Sequence, residues 1–99
     1  VVTLCGSVRF SDELARLAVE LTAAGHTVLA PVVPAATGDL TDAERTRLGQ
    51  AHLEKVAAAD EVLVVDPGGY VGESTRREIA HARSLGIPVT FLEPPSDPL

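Results

Sequence analysis

The sequence predicts an α/β fold: a single small, doubly wound parallel sheet of about four to five strands with helices on both faces. Three observations predict it. Short β-branched apolar runs alternate with segments whose apolar residues recur at helical spacing. Glycine or proline punctuates most changes from one pattern to the other. The 99 residues suit one domain with a modest core.

The elements follow in order. Val1 to Cys5 is apolar and β-branched, the pattern of a strand, and stops at Gly6-Ser7. Ser11 is the expected cap of a first helix, whose Leu14, Leu17, Ala18 and Leu21 share one face. Gly25 ends it, and His26 to Ala30 is the second strand. Pro31 to Leu40, with two prolines and Gly38, is longer than a usual connection and is expected to cover something. Thr41 and Glu44 have capping-box spacing and open a second helix, with Leu48, His52, Val56 and Ala59 turned inward. Glu61 to Val65 is the third strand. A glycine-rich loop, Asp66 to Gly72, leads into a third helix from about Thr75 to Ser84 or Leu85. Gly86 stops that helix, and Pro88 to Leu92 is the last strand. Residues 1–92 therefore form the domain, and the proline-rich tail 93–99 is expected to fray.

Right-handed crossovers turn this order into a flavodoxin- or Rossmann-like sheet. Its ligand site is expected beyond the C-terminal strand ends, where strand order reverses. The loops after strands one, two and three are the places to examine.

Composition narrows the partners. Formal charge is −6 with a pI near 4.8, which disfavours polymeric nucleic acid. The three aromatics, Phe10, Tyr70 and Phe91, offer no stacking platform for single strands. Hydrophobic residues reach 45%, yet proline and glycine interrupt the longest apolar stretch, so no membrane span is expected. Cys5 is the only cysteine, which agrees with a reducing, cytoplasmic setting. His26, His52 and His81 lack metal-ligand spacing, so no metal is predicted.

Gly6, Ser7 and Arg9 follow the first strand. They supply a sharp turn, a hydroxyl and a planar fork suited to phosphate or carboxylate oxygens. They are equally an ordinary strand-to-helix turn. Gly69, Tyr70, Gly72, Ser74 and Thr75 allow close backbone approach and add donors at a helix N-terminus. Asp66 sits at a strand tip, as a functional carboxylate or as a turn-forming residue. Glu78 is expected in the first turn of the third helix, facing the cleft and kept ionised by the helix dipole. There it is either a nucleophile or the partner of Thr75 in a capping box. Cys5 reads as a buried strand residue and His52 as a packed one.

Two segments carry a wider likeness. Val2–Phe10 (VTLCGSVRF) and Ala59–Val89 (ADEVLVVDPGGYVGESTRREIAHARSLGIPV) resemble the nucleoside 2-deoxyribosyltransferase-like superfamily of deoxyribosyltransferases and nucleotide N-glycoside hydrolases. The family's helix motif is matched by Glu78-Ile79-Ala80-His81-Ala82 and Gly86. The resemblance implies that Glu78 attacks the sugar C1′. It also implies that Asp66 or His52 moves a proton for the departing base, with His52 standing where the family usually has Asp. Thr3 replaces an aromatic common in the hydrolases. Gly6, Ser7, Arg9, Gly69, Tyr70, Gly72, Ser74 and Thr75 would then hold a nucleoside or its 5′-monophosphate. No cofactor or metal is implied, and a homodimer or higher homo-oligomer is expected. The alternative on the same fold is a non-catalytic nucleotide-binding or sensor module.

Overall fold

The computed structural model describes residues 1–33 and 40–99. Most of the connection expected to cover a site, residues 34–39, lies outside the described residues. The strands are β1 (Val2–Cys5), β2 (Val28–Leu29), β3 (Glu61–Val64) and β4 (Val89–Phe91). The helices are α1 (Ser11–Ala23), α2 (Asp42–Ala57) and α3 (Glu73–Ser84). All strand pairs are parallel, in the order β2-β1-β3-β4. From β1 the chain winds to one side through α1, then returns through α2 to the other side. The point of reversal lies between β1 and β3, where Cys5 pairs with Val64. Ligands of open α/β sheets bind at that location.

The core is aliphatic, as composition required. On one face Leu14 and Leu17 of α1 pack on Val2, Leu4 and Val65. On the other, Val56 of α2 and Ile79 and Ala82 of α3 cover Cys5, Val62 and Val64. Alternate β1 residues thus serve opposite faces, as a two-residue period demands. β2 is shorter than the expected His26–Ala30 because, as an edge strand, it pairs only with β1. Thr3 is fully buried and donates its hydroxyl to the Lys55 carbonyl at 2.8 Å. Lys55 in turn donates its Nζ to the Ala30 carbonyl at 2.8 Å. These bonds tie the end of α2 to the first two strands and fix the helix that carries His52.

Helix ends follow their chemistry, with two corrections. The Thr41–Glu44 capping box forms as expected: the Glu44 amide donates to Thr41 Oγ1 at 3.1 Å, and the Thr41 amide to Glu44 Oε1 at 2.9 Å. After α3, Gly86 takes a φ of 72°, and the Ile87 and Gly86 amides close a Schellman motif on Ala82 and Arg83. Ser11, however, does not cap α1. A short 3-10 turn, Val8–Phe10, precedes that helix, and Ser7 caps the turn by accepting from the Arg9 amide at 3.3 Å. Nor does Thr75 cap α3. Gly72 takes the cap position in extended conformation, so α3 starts at Glu73 and Thr75 is buried in its first turn. Glu78 consequently lies in the second turn.

The tail is the largest departure. Residues 93–99 fold back over the glycine-rich turn instead of fraying. The Glu93 amide donates to Asp66 Oδ1 at 2.9 Å, and the Gly68 amide donates to Glu93 Oε2 at 3.1 Å. The Ser96 amide donates to the Gly69 carbonyl at 3.0 Å, and Arg76 pairs with Asp97 at 2.9 Å. Leu99 packs against the α2/α3 side of the core.

Candidate active site

Beyond the C-terminal ends of β1 and β3 lies a hollow of about 490 Å³. Its floor and walls come from the β1–α1 turn, the end of β2, the middle of α2 and the start of α3. Among its lining residues are Gly6, Ser7, Pro31, Val32, Leu48, Gly49, His52, Tyr70, Gly72, Ser74, Thr75 and Glu78. Gly6 is required by close approach: a Cβ there would sit 2.9 Å from the Val65 carbonyl oxygen. The β1–α1 turn can therefore lie directly against the end of β3.

At the base of the hollow three side chains from three elements converge. Cys5 Sγ stands 3.5 Å from His52 Nε2, and Glu78 Oε2 stands 3.8 Å from the same nitrogen. One ligand-type atom of each residue lies within 4.8 Å of the other two. Glu78's side chain is 13% exposed and His52's 5%. Burial pushes the Glu78 carboxyl up to about 7, partly offset by its contact with Cys5 and the charge of Arg77. It is therefore divided between acid and carboxylate near neutral pH, not held ionised by the helix dipole. Burial, together with the positive charge of Lys55, lowers His52 to about 4, so its imidazole is neutral. His52 Nδ1 has no partner in hydrogen-bonding geometry, although the nearby Leu4 backbone opposes part of that lowering. Burial, then the Glu78 charge and hydrogen bond, raise Cys5 and keep it a thiol.

The rim is aromatic and cationic. The Arg9 guanidinium lies 4.0 Å over the Tyr70 ring, and Phe10 meets that ring edge-on with centroids 5.9 Å apart. Arg9 thus reaches the rim through Tyr70 and is not itself part of the lining. Ser74 accepts from Arg77 Nη2 at 3.4 Å at the mouth.

Of the residues anticipated from sequence, Gly6, Ser7, His52, Tyr70, Gly72, Ser74, Thr75 and Glu78 meet at this hollow. Asp66 and Gly69 do not. Asp66 is fully buried beneath the tail, bonded to the Glu93 amide through one oxygen and with Oδ2 unpartnered. Gly69, at φ 79°, lies so close to Pro94 and Ser96 that a Cβ would meet them at 2.8 and 2.7 Å. Both belong to the tail's docking site. Sequence reasoning passed over Gly49 and Glu73, which also line the hollow; it read Leu48 as inward-facing and Cys5 as a buried strand residue, without placing either at the site. Pro31 and Val32 were legible as the segment after β2. Nothing in the spacing of Cys5, His52 and Glu78 announces that they touch.

No family model matches this sequence, and no curated protein does. Among solved structures the chain is similar to a 2-deoxyribosyltransferase from the psychrotolerant bacterium Bacillus psychrosaccharolyticus, described as a biocatalyst for synthesis of antiviral and antitumoral nucleosides. The TM-score is 0.71 at 20% identity, over 99% of this chain and 75% of that chain. The shared architecture is the nucleoside 2-deoxyribosyltransferase-like fold that the two sequence segments pointed to. Among the described residues no helix is long and apolar enough to cross a membrane.

Proposed function

We propose that the chain cleaves the N-glycosidic bond of a nucleoside or nucleoside 5′-monophosphate with Glu78 as nucleophile. The observation that carries the reading is a largely buried carboxylate at the base of a hollow bordered by Gly6, Ser7, Ser74 and Thr75. The solved 2-deoxyribosyltransferase of the same fold supports that substrate class.

In the first step a Glu78 carboxylate oxygen bonds to C1′ as the C1′–N bond breaks, and the base leaves with the electron pair. In the second, water or another base attacks C1′ and releases the carboxylate. Water gives hydrolysis and a second base gives deoxyribosyl transfer. The neutral His52 stands 3.8 Å from Glu78 and has no readily given proton at neutral pH. Asp66, turned under the tail, has no part in this scheme. The departing base takes its proton from solvent at the open side of the hollow. Ser7, Ser74 and Thr75 supply hydroxyls to the sugar or phosphate oxygens, and the aromatic face of Tyr70 covers the bound molecule.

Free base released from a panel of nucleosides and 5′-monophosphates, with Glu78→Gln as control, tests the proposal. Turnover by wild type and not by the variant supports it, whereas equal turnover removes Glu78 from the chemistry. A non-catalytic nucleotide-binding or sensor module is a second reading. It is favoured by Asp66 facing away and His52 being neutral. Saturable binding of panel members without base release would establish that reading instead.

A further inference from the structure

We propose that Cys5, His52 and Glu78 form a three-ligand site for a divalent transition metal, zinc by preference, whose fourth position opens on the hollow. The three donors are a sulfur, an imidazole nitrogen and a carboxylate oxygen, a set suited to zinc. They come from β1, α2 and α3, so each is fixed by a different packed element. Tetrahedral zinc bonds of about 2.0–2.3 Å place ligand atoms roughly 3.3–3.6 Å apart. Cys5 Sγ and His52 Nε2 are already 3.5 Å apart, and Nε2 and Glu78 Oε2 are 3.8 Å apart. The same nitrogen faces both partners, which suits one centre between three donors better than a relay across the ring. All three atoms lie within 4.8 Å of one another, so loading draws the Glu78 carboxylate inward toward Cys5 and His52.

The charge balance also suits a cation. Binding converts the Cys5 thiol to a thiolate, with the proton released to solvent, and takes Glu78 as carboxylate and His52 as neutral imidazole. Two negative ligands and one doubly positive ion leave no net charge in a buried place. Without the ion, a thiolate and a carboxylate would repel each other there. His52 and Glu78 line the hollow while Cys5 lies behind them, so the remaining coordination position faces the space a small ligand would enter. Three protein ligands with one open position is the pattern of a reactive zinc site, not of a closed structural one.

The metal site stands on geometry and not on glycosyl transfer. A divalent ion on the carboxylate withdraws the negative charge that attack on C1′ needs, so the loaded protein is expected to be less active in base release. Binding itself is read without that assay.

Cobalt(II) titration of the chelator-treated protein tests the site. One equivalent is expected to give visible bands of tetrahedral intensity and a near-ultraviolet thiolate-to-cobalt band. Cobalt loading is expected to release the thiol proton, and zinc is expected to displace cobalt one for one without further proton release. Cys5→Ser is expected to lose the ultraviolet band. His52→Ala and the isosteric Glu78→Gln are expected to weaken zinc by more than the ~10–100-fold that an outer partner contributes. His26→Gln, at an exposed position, is expected to leave affinity unchanged. Circular dichroism of each variant reports folding, and Glu78→Gln keeps the test decisive if Cys5→Ser does not fold. Absence of stoichiometric binding overturns the proposal, as does an unchanged Cys5→Ser spectrum or equal weakening by His26→Gln.

Discussion

At the scale of single residues the protein turns on Glu78, a carboxyl group raised by burial from its usual 4.5 to about 7. The groups facing it are Cys5, His52 and Arg77, and none cancels that burial. A nucleophilic carboxylate must be ionised. Base release by metal-free protein, measured with chelator present, is therefore expected to rise with pH to a plateau, with its midpoint about 7. Glu78→Gln is expected to lower it by roughly three orders of magnitude or more. Stability moves the opposite way. An acid whose folded pKa is raised stabilises the fold while protonated, and that contribution is lost as pH rises from 4.5 through about 7. At ~1.4 kcal/mol per unit, well above pH 7 the ionised group costs the folded state about 3 kcal/mol. Glu78→Gln is thus expected to melt higher than wild type near pH 9 and close to it near pH 5, by thermal denaturation in matched buffers. A melting difference independent of pH would contradict the burial argument. Glu78 was recognisable from its motif, but its ionisation was not. Sequence reasoning put it in the first turn, under the helix dipole. Gly72 in the cap position moved it to the second turn, where desolvation outweighs the dipole.

At the scale of elements, position depends on how each helix is started and how closely each turn can approach its neighbour. The capping box that starts α2 was readable from Thr41 and Glu44 because it is local and chemically specific. Removing it with Thr41→Ala is expected to cost about 1 kcal/mol, measured by urea denaturation. That loss frays the first turn, remote from the Thr3–Lys55 bond that anchors the other end of α2 near His52. Gly6 governs a different kind of contact. A methyl group at residue 6 would press on the Val65 carbonyl, which is backbone and cannot swing away. Gly6→Ala is therefore expected to destabilise by roughly 1–3 kcal/mol, as overpacking does. It is also expected to weaken nucleotide binding, because the displaced turn carries Ser7. An Ala variant with wild-type denaturation and binding would show that the two turns have room to separate. Sequence marked Gly6 as a turn residue but not as a point of contact, since Val65 is distant along the chain. The short β2 was overread for a related reason: His26 to Ala30 has strand-like composition, but pairing is decided by the neighbouring strand and not by propensity.

For the whole molecule, the parallel, doubly wound class was legible because alternating elements and right-handed crossovers leave few arrangements. Those rules place the hollow at the reversal between β1 and β3, and eight of the anticipated residues gather there. They do not govern the chain beyond the last strand. Glu93 to Leu99 looked like a fraying tail because proline-rich segments lack periodicity, yet its polar groups find partners on the Asp66–Gly69 turn. That docking is why Asp66 and Gly69 belong to the scaffold side of the molecule. Removing residues 93–99 deletes the bonds to Asp66, Gly68 and Gly69, the Arg76–Asp97 pair and the packing of Leu99. At about 0.5–1.5 kcal/mol for each backbone bond, with exposed Arg76–Asp97 adding little, the loss is expected to be roughly 2–4 kcal/mol. Rehydration of the freed Asp66 carboxylate moderates it. The truncated chain is therefore expected to unfold at lower urea but bind nucleotide within a few-fold of wild type, because the tail lines none of the hollow. Tyr70 decides the opposite outcome, since it borders both the hollow and the tail's groove. If truncation abolishes binding while the denaturation midpoint holds, the tail acts through that ring and the two sides of the glycine-rich turn are coupled. Unchanged binding with a lowered midpoint assigns the tail to stability alone.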